Sequence, residues 1–271
     1  MVQRGRADVT DKAPQMRVLA LIPARMGSSR FPGKPMAPLL GIPMIEHVYR
    51  RVALNADLTA TVVATCDAVI ADHIQAIGGR FAMTGSHHER ASDRCAEALE
   101  IIERADGVRF DIVVMVQGDE PLVHPDMVSE ALAPMIADAG ILVTNLLGRI
   151  GSESEFEDRN CIKVVYDRNS DALYFSREPI PTRAKGVCAP MGKQICVIPF
   201  RREFLIDYTR LAPTPLEIAE SVDMMRVLEN GLKVRMVPTK HDSYSVDTES
   251  DRVRVEKLLG TDPLHQRLFG H

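Results

Sequence analysis

The segment from residue 23 to residue 34 combines small residues and prolines with three cationic side chains. Arg25, Arg30 and Lys34 provide the positive charge. An almost continuous apolar run, residues 17–22, precedes the segment and predicts a strand that is buried on both faces. A loop between a strand and a helix also offers backbone N–H groups and the helix dipole to a phosphate. Amide donors and cations together are suited to bind a triphosphate.

Two better-known phosphate loops are excluded by the spacing of the glycines. A Walker A loop needs four residues between its glycines and a hydroxyl residue after the lysine, whereas five residues separate Gly27 from Gly33 and Pro35 follows Lys34. The dinucleotide pattern Gly-x-Gly-x-x-Gly is also absent. A plain connection with solvated arginines is the simpler alternative, but three prolines with interleaved cations are unusual in such a connection.

Two aspartates follow apolar strands elsewhere in the chain. Asp119 comes directly after the predicted strand 111–117, and Asp247 follows a late predicted strand, residues 232–237. Ligands of open α/β sheets bind at the carboxyl ends of the strands, and Mg²⁺ takes one or two carboxylates together with substrate phosphates. Each aspartate could instead cap a helix. The metal interpretation therefore depends on the two residues lying together.

Composition limits the class of protein. The chain has 271 residues, 45% of them apolar, and a net charge of −4, which gives no general basic field for nucleic acid. No apolar run is long enough to cross a bilayer, and residues 1–15 are polar, unlike a signal peptide. The five cysteines form no Cys-x-x-Cys pair, which favours buried thiols in a cytoplasmic protein over disulfides or zinc.

Strands alternate with helices over the first half of the chain, which predicts βαβ units and a mostly parallel sheet. Predicted helices include 44–53, 92–104 with Ser92 as its cap, and 215–230. The pattern changes near residue 161, where a turn at Asn169 and Ser170 predicts a hairpin, and residues 195–199 predict a further strand. We expect residues 1–15 to be a disordered extension, 16–260 a single domain whose residues 161–200 contribute a β-rich arm, and 261–271 a tail.

The motifs together resemble the 3-deoxy-manno-octulosonate cytidylyltransferase family, also called CMP-Kdo synthetases. The matching residues run over nearly the whole chain, from about 18 to 259. They are Pro23-Ala24-Arg25, Pro32-Gly33-Lys34-Pro35, Ala64-Thr65 with Asp67, Ser92-Asp93-Arg94, Gln117-Gly118-Asp119-Glu120-Pro121, Leu173-Tyr174-Phe175-Ser176-Arg177 and Val246-Asp247-Thr248. The resemblance implies a Rossmann-like nucleotidyltransferase fold with a smaller β-rich dimerisation arm, a homodimer, and transfer of CMP from CTP to a sugar acid with release of pyrophosphate.

The resemblance also assigns roles. Arg25 and Lys34 would hold the triphosphate, Asp119 and Asp247 would hold Mg²⁺, and these four residues would be catalytic. Arg94 and Gln117 would orient substrates where nucleotide and sugar meet. The residues expected to bind the nucleotide are Pro23, Ala24, Arg25, Gly27, Ser28, Ser29, Lys34, Thr65, Asp67, Thr84 and Gln117. Neither nucleic acid nor a membrane is expected as a partner.

The departures from the family pattern fall where the sugar acid would bind. The family strand normally reads Arg-His-x-Gly-Ile-Tyr, whereas Gln194 and Ile198 replace the histidine and the tyrosine here. In a later segment Glu217 and Glu220 persist, but Ile218 and Met224 replace a histidine and a glutamine. We therefore expect Gln194, Ile198, Glu217 and Glu220, with Arg94 and Gln117, to line an altered acceptor pocket.

Three functions remain open from the sequence. The first is a cytidylyltransferase for Kdo or a related 3-deoxy-2-ulosonic acid. The second is a cytidylyltransferase for another acidic acceptor, either a different sugar acid or a phosphonate. The third is a non-catalytic nucleotide-binding protein, which Lys34, Asp119 and Asp247 disfavour because a binder need not keep two metal carboxylates.

Overall fold

Two five-stranded sheets organise the part of the chain that this computed structural model describes, residues 16–27, 31–184, 186 and 190–270. The strands, in chain order, are β1 (Val18–Ala24), β2 (Pro38–Leu39), β3 (Ile42–Pro43), β4 (Ala60–Thr65), β5 (Phe81–Met83), β6 (Ile112–Val116), β7 (Thr144–Gly148), β8 (Lys163–Tyr166), β9 (Ala172–Ser176), β10 (Met191–Ile195), β11 (Val197–Arg201) and β12 (Arg235–Pro238). The predictions for residues 1–15 and for Ser28, Ser29 and Arg30 lie outside the described residues.

The first sheet has the order β11-β6-β1-β4-β5. Its inner pairings, β1 with β4 and with β6, are parallel, and so is β4 with β5, while the edge strand β11 runs antiparallel to β6. All five residues of β6 are buried, as expected for a strand covered on both faces. The predicted α/β class with a mostly parallel sheet is confirmed.

Helices cover both faces of this sheet. In chain order, the α-helices of the described residues are α1 (Met44–Ala53), α2 (Ala68–Ala76), α3 (Ala91–Asp106), α4 (Pro125–Ala137), α5 (Glu153–Glu157), α6 (Arg202–Thr209), α7 (Pro215–Glu220), α8 (Met224–Glu229), α9 (Glu249–Leu259) and α10 (Pro263–Phe269). Residues of α3 and α6 pack with Leu19 and Leu21 on one face. Residues of α1, α2 and α4 pack with Ala20 and Ile22 on the other. The parallel strands therefore end at one common edge, held rigidly between two apolar layers.

The second sheet has the order β12-β7-β10-β8-β9. Its pairings are antiparallel except for β12 with β7, and the predicted hairpin of β8 and β9 is confirmed. Three of its strands come from the predicted arm, whereas β7 and β12 come from outside residues 161–200. The arm is thus part of a sheet to which residues outside 161–200 also contribute strands.

Two predicted elements are interrupted. The strand predicted over 195–199 is divided at Cys196 into β10, which pairs in the second sheet, and β11, which pairs in the first. The helix predicted over 215–230 is divided into α7 and α8 because Ser221 takes a left-handed conformation, with φ of 53°. The guanidinium of Arg177 donates to the carbonyl oxygen of Glu220, 2.7 Å away, and so satisfies a group that the interruption frees.

Two further helix ends differ from the prediction. Ser92 does not cap α3, because the helix begins one residue earlier and Arg90 is its N-cap. The Ser92 hydroxyl instead donates to Asp223, 2.9 Å away. At the other end of the chain, the predicted tail contains α10, which packs on α1 through the ring of Phe269 against His47. Within the described residues, no helix has the length and apolar character needed to cross a membrane.

Candidate functional site

A cavity of about 750 Å³ opens at the carboxyl ends of β1 and β6. Residues that end or follow these strands form one wall, among them Pro23, Ala24 and Gln117. Residues of the second sheet form the opposite wall, among them Lys193 and Gln194. The cavity therefore lies where ligands of open parallel sheets bind, and its far wall comes from the predicted arm.

The centre of the cavity holds a lysine between two aspartates. Lys34 Nζ lies 2.7 Å from Asp119 Oδ2 and 3.2 Å from Asp247 Oδ1. Burial by itself would lower the pKa of Lys34, but the two carboxylates outweigh it and raise that pKa above its ordinary value. Lys34 is therefore an ammonium at neutral pH, and the sequence prediction that these three residues lie together agrees with this arrangement.

Backbone contacts hold Asp119 and Asp247 close to each other and to Lys34. The N–H of Val246 donates to the carbonyl oxygen of Asp119 over 3.0 Å, which joins the segment after β12 to the loop after β6. Gly118 lies so close to β1 that a Cβ on it would come 3.1 Å from the carbonyl oxygen of Pro23. A side chain at this position would need a shift of a few tenths of an ångström, and glycine allows the close approach without it.

Glu120 also joins the loop after β6 to the segment after β12. Its side chain is buried, and Oε2 accepts a hydrogen bond from the Ser243 hydroxyl at 2.7 Å. Burial, and then the charge of Asp119, raise the pKa of Glu120 to about 7. The motif that contains Glu120 does not predict this role, because the sequence does not show that the carboxyl group is buried.

The predicted nucleotide residues fall into two groups. Pro23, Ala24, Arg25, Gly27, Lys34 and Gln117 line the cavity. Thr65, Asp67 and Thr84 are not among the lining residues. Asp67 acts on the loop itself, because its Oδ2 accepts the N–H of Met26 over 2.8 Å, and Thr65 in turn accepts the N–H of Asp67.

Arg94 lies beneath the cavity rather than on its wall. Its side chain is buried, and Nη1 donates to the hydroxyl of Thr84 at 2.5 Å and to the carbonyl oxygen of Gly85 at 3.3 Å. Arg90, one turn earlier, lines the cavity in its place. The rings of the adjacent His87 and His88 contact each other at a tilt of 40°, and His88 pairs with Glu97.

Of the four positions that depart from the family pattern, Gln194 and Ile198 reach the cavity, whereas Ile218 and Met224 do not line it. The amide of Gln194 donates to Asn145 Oδ1 over 2.6 Å, and its side chain remains partly exposed to the cavity. Ile198 is 2% exposed and packs mainly in the apolar core beside α3 and α6. Gln194 is thus the more accessible of the two.

The two glutamates of the later segment do not line the cavity. Glu217 is fully buried and bonds the Arg226 guanidinium through both oxygens, at 2.6 and 2.7 Å. Glu220 accepts hydrogen bonds from Ser176 and from the N–H of Arg177. Both carboxylates therefore bond to groups of the protein outside the cavity, and the prediction that they line an acceptor pocket does not agree with these positions.

The wall that the second sheet forms contains charged residues outside the sequence motifs. Lys193 bonds Glu155 at 2.5 Å and the carbonyl oxygen of Ser243 at 3.0 Å. Lys193 Nζ and the Arg254 guanidinium both lie over the ring of Tyr244. These residues come from three distant parts of the chain, so only the fold brings them together.

Comparisons with known proteins agree with this geometry. A family model described as cytidylyltransferase matches residues 19–235. A 3-deoxy-manno-octulosonate cytidylyltransferase from Geobacter metallireducens is 45% identical over 255 residues, which cover 90% of this chain and 98% of that protein. A second, from Geobacter sulfurreducens, is 40% identical and covers 90% and 100%. The chain belongs to this family.

A solved structure of the same family has the same fold. It is CMP:2-keto-3-deoxy-manno-octonic acid synthetase complexed with CTP, and the superposition gives a TM-score of 0.80 at 35% identity, covering 90% of this chain and 98% of that one. The family membership predicted from the motifs is confirmed, and this member is a cytidylyltransferase with the nucleotidyltransferase fold.

Proposed function

We propose that this chain transfers CMP from CTP to the anomeric hydroxyl of a 3-deoxy-2-ulosonic acid such as Kdo and releases pyrophosphate. The observation that carries the proposal is the Lys34 ammonium between Asp119 and Asp247 at the strand edge of the cavity. The relatives named above are enzymes of this reaction class, and one of them was solved with CTP.

Asp119 and Asp247 have the donor chemistry of a Mg²⁺ site. Their carboxylate oxygens converge on one cation, Lys34 Nζ, at 2.7 and 3.2 Å, and carboxylate oxygens are hard ligands that Mg²⁺ prefers. The two residues would hold the ion, which when bound neutralises charge on the phosphate oxygens. The hydrogen bonds of Val246 and Ser243 to the loop after β6 keep the two carboxylates together.

The remaining residues would bind and orient the reactants. Lys34 and Arg25 would bind the triphosphate, and Gln117 would contact the nucleotide from the end of β6. Asp67 would position the loop through the N–H of Met26. The sugar hydroxyl would attack the α-phosphorus as the bond to the bridging oxygen of pyrophosphate breaks, so positioning and charge neutralisation provide most of the catalysis.

The acceptor would lie against the second sheet. Gln194, Lys193 and Arg177 line that end of the cavity and offer an amide and two cations to a carboxylate and its hydroxyl groups. We place Glu217, Glu220 and Arg94 behind this wall, where they would support it. Another acidic sugar or a phosphonate remains the second candidate acceptor, because Ile198 offers no hydrogen bond at a cavity position.

Release of pyrophosphate tests the proposal. CTP, UTP, ATP and GTP are each supplied with Mg²⁺, with and without Kdo, other sugar acids and a phosphonate. Rapid release with CTP and Kdo only is the expected result. Release with another acceptor would identify the second candidate, and no release with any pair would indicate a nucleotide-binding protein without this activity.

A homodimer that forms through the arm is part of the proposal. Leu173 on the edge strand β9 is 61% exposed, and Ile218 in α7 is 63% exposed. Exposed apolar side chains on an edge strand favour association. Light scattering should give twice the chain mass, and Leu173→Glu should give the mass of one chain. The cytoplasmic location stays a prediction.

A further inference from the structure

Four side chains that could bind a metal lie against one another outside the cavity, where α4 begins. His124, Asp126 and His241 each offer one ligand atom, and these atoms lie within 4.8 Å of one another. Asp126 Oδ2 is 3.6 Å from His124 Nδ1 and 3.6 Å from His241 Nε2, and Glu130 Oε1 is 3.9 Å from the same His241 nitrogen. None of the four residues lines the cavity.

The His241 ring has an unused coordinating atom at the centre of this group. Its Nε2 is buried and makes no hydrogen bond to any described residue. Nδ1 of His47 and Nδ1 of His265 are also buried without such a bond, but His241 Nε2 lies 3.6 and 3.9 Å from two carboxylates, an arrangement that a bound cation would complete. The His124 ring stacks on the His241 ring, with centroids 4.0 Å apart and an interplanar angle of 10°. Imidazole lone pairs lie in the ring plane, so the His124 ring, which is 37% exposed, must turn out of the stack to bind the same ion as His241.

The His124 ring has one nitrogen left for a metal. Its Nδ1 accepts the N–H of Asp126 over 3.2 Å, so Nε2 is the atom that remains.

The distances from His241 to the two carboxylates are close to those of an occupied site. Zn²⁺ binds histidine nitrogen and carboxylate oxygen at about 2.0–2.2 Å in a tetrahedron, which places neighbouring ligand atoms roughly 3.4 Å apart. The contacts of His241 Nε2, 3.6 Å to Asp126 and 3.9 Å to Glu130, are slightly longer. Asp126 is largely exposed, so its side chain can rotate without disturbing the core.

We propose that His124, Asp126 and His241, with Glu130 as the fourth ligand, form a binding site for a divalent transition metal such as Zn²⁺. Two imidazoles and two carboxylates favour such an ion over Mg²⁺, which takes oxygen ligands only. This site is separate from the pair Asp119 and Asp247 and has a different ligand chemistry.

The location of the site gives the metal a structural role. His124 lies just beyond the loop that carries Asp119 and Glu120, and His241 lies just before the segment that carries Ser243 and Asp247. The hydrogen bond from Ser243 to Glu120 already joins these segments nearby. A metal bound by both histidines would add a second link and would hold the two segments together.

A second stacked histidine pair provides the matched control. His47 and His265 stack with centroids 5.3 Å apart, but no group of three metal-binding side chains includes them among the described residues. A metal that merely follows exposed or stacked histidines would bind there as well. His265→Gln removes one ring of that pair and leaves the proposed site intact.

Calorimetric titration of Zn²⁺ into the chelator-treated full chain tests the proposal. Excess Mg²⁺ is present throughout, so that the carboxylate pair at the cavity is not available to Zn²⁺. We expect one Zn²⁺ per chain, at least tenfold weaker binding in His241→Gln and in Asp126→Asn, and no change in His265→Gln. Co²⁺ in place of Zn²⁺ should give a visible absorption band that His241→Gln abolishes.

Equal Zn²⁺ affinity in the wild type, His241→Gln and Asp126→Asn would overturn the proposal, as would equal losses in His265→Gln. Asp126→Asn decides the question if His241→Gln fails to fold, because Asp126 is largely exposed. Metal binding is measured directly, so the result stands whether or not the cytidylyltransferase proposal is correct.

Discussion

The ammonium of Lys34 lies 2.7 Å from a carboxylate oxygen of Asp119, although 85 positions separate the two residues. Asp247, 213 positions away from Lys34, bonds the same ammonium. One ammonium thus pairs with two carboxylates from distant parts of the chain. Without it, the two negative charges would repel each other at this half-buried position. The site has its charges arranged before any substrate binds.

Asp119→Asn should remove most of the Mg²⁺-dependent turnover and leave the fold intact. The amide lacks the charge that binds the ion, and the metal contributes several kcal/mol to transition-state stabilisation, so a loss of about 10²–10³-fold in kcat is expected. Pyrophosphate release at a series of Mg²⁺ concentrations measures it. Asp72→Asn, an exposed position on α2, is the matched control. Unchanged turnover in Asp119→Asn would remove this residue from the metal site.

Glu120 should make the stability of the protein depend on pH between about 4.5 and 7. The folded pKa of about 7 lies above the ordinary 4.5, so between these values the unfolded chain has lost the proton that the folded chain keeps. Stability from this group is full below the lower pKa and declines as pH rises to the upper one, by up to about 3 kcal/mol.

Glu120→Gln tests this dependence, because the amide does not titrate and can still bond to Ser243. Relative to the wild type, the variant should gain stability on going from pH 5 to pH 8. Urea unfolding at the two pH values gives the difference. Glu100→Gln, an exposed position in α3, should follow the wild type at both. A constant difference between Glu120→Gln and the wild type would contradict the buried, protonated state.

Gln194→Leu should affect the sugar acid more than CTP. The substitution removes the amide at the second-sheet end of the cavity and leaves Asn145 Oδ1 without its 2.6 Å hydrogen bond. The unpaired oxygen costs about 1–3 kcal/mol of folding stability. The lost substrate contact costs about as much in acceptor binding, so KM for the acceptor should rise by about tenfold or more.

Steady-state kinetics with each substrate varied in turn measure that effect. Gln75→Leu, an exposed position in α2, is the control. Gln194→His restores the residue of the family pattern and should shift acceptor preference towards Kdo. If both Gln194 variants raise KM for CTP instead, the residue contacts the nucleotide and the two ends of the cavity are assigned the wrong way round.

Much of the fold could be predicted from periodicity. Buried parallel strands are continuous apolar runs, and helix boundaries carry strong local signals, so α1 has the predicted bounds 44–53. The interruption at Cys196 could not be predicted, because the strand continues locally while its partners change from one sheet to the other. The interruption at Ser221 was likewise hidden, since the apolar pattern continues through it and serine is not a strong breaker.

The candidate site could be predicted where a motif lies in one loop. Lys34 and Asp119 follow β1 and β6, whose carboxyl ends share an edge of the first sheet, whereas Asp247 follows β12 of the second sheet. The structure brings all three together. The positions of residues that depend on tertiary contacts could not be predicted from the sequence. Lys193 in β10 bonds Glu155 in α5, 38 positions away, and only the fold brings these two side chains together. The contact of Glu217 with Arg226 is not visible in the sequence either, although only nine positions separate them.

Glu217→Ala should lower stability much more than it affects catalysis. The substitution leaves Arg226, 3% exposed, without the partner that bonds it at 2.6 and 2.7 Å, and an unpaired buried charge costs about 3–5 kcal/mol. Asp207→Ala breaks an exposed pair with Arg210 and should cost less than about 1 kcal/mol. The double variant Glu217→Leu with Arg226→Met should recover most of the loss, since no buried charge remains. Urea unfolding gives the free energies, and KM for the acceptor separates the roles: an increase in KM at unchanged stability would mean that Glu217 contacts the substrate.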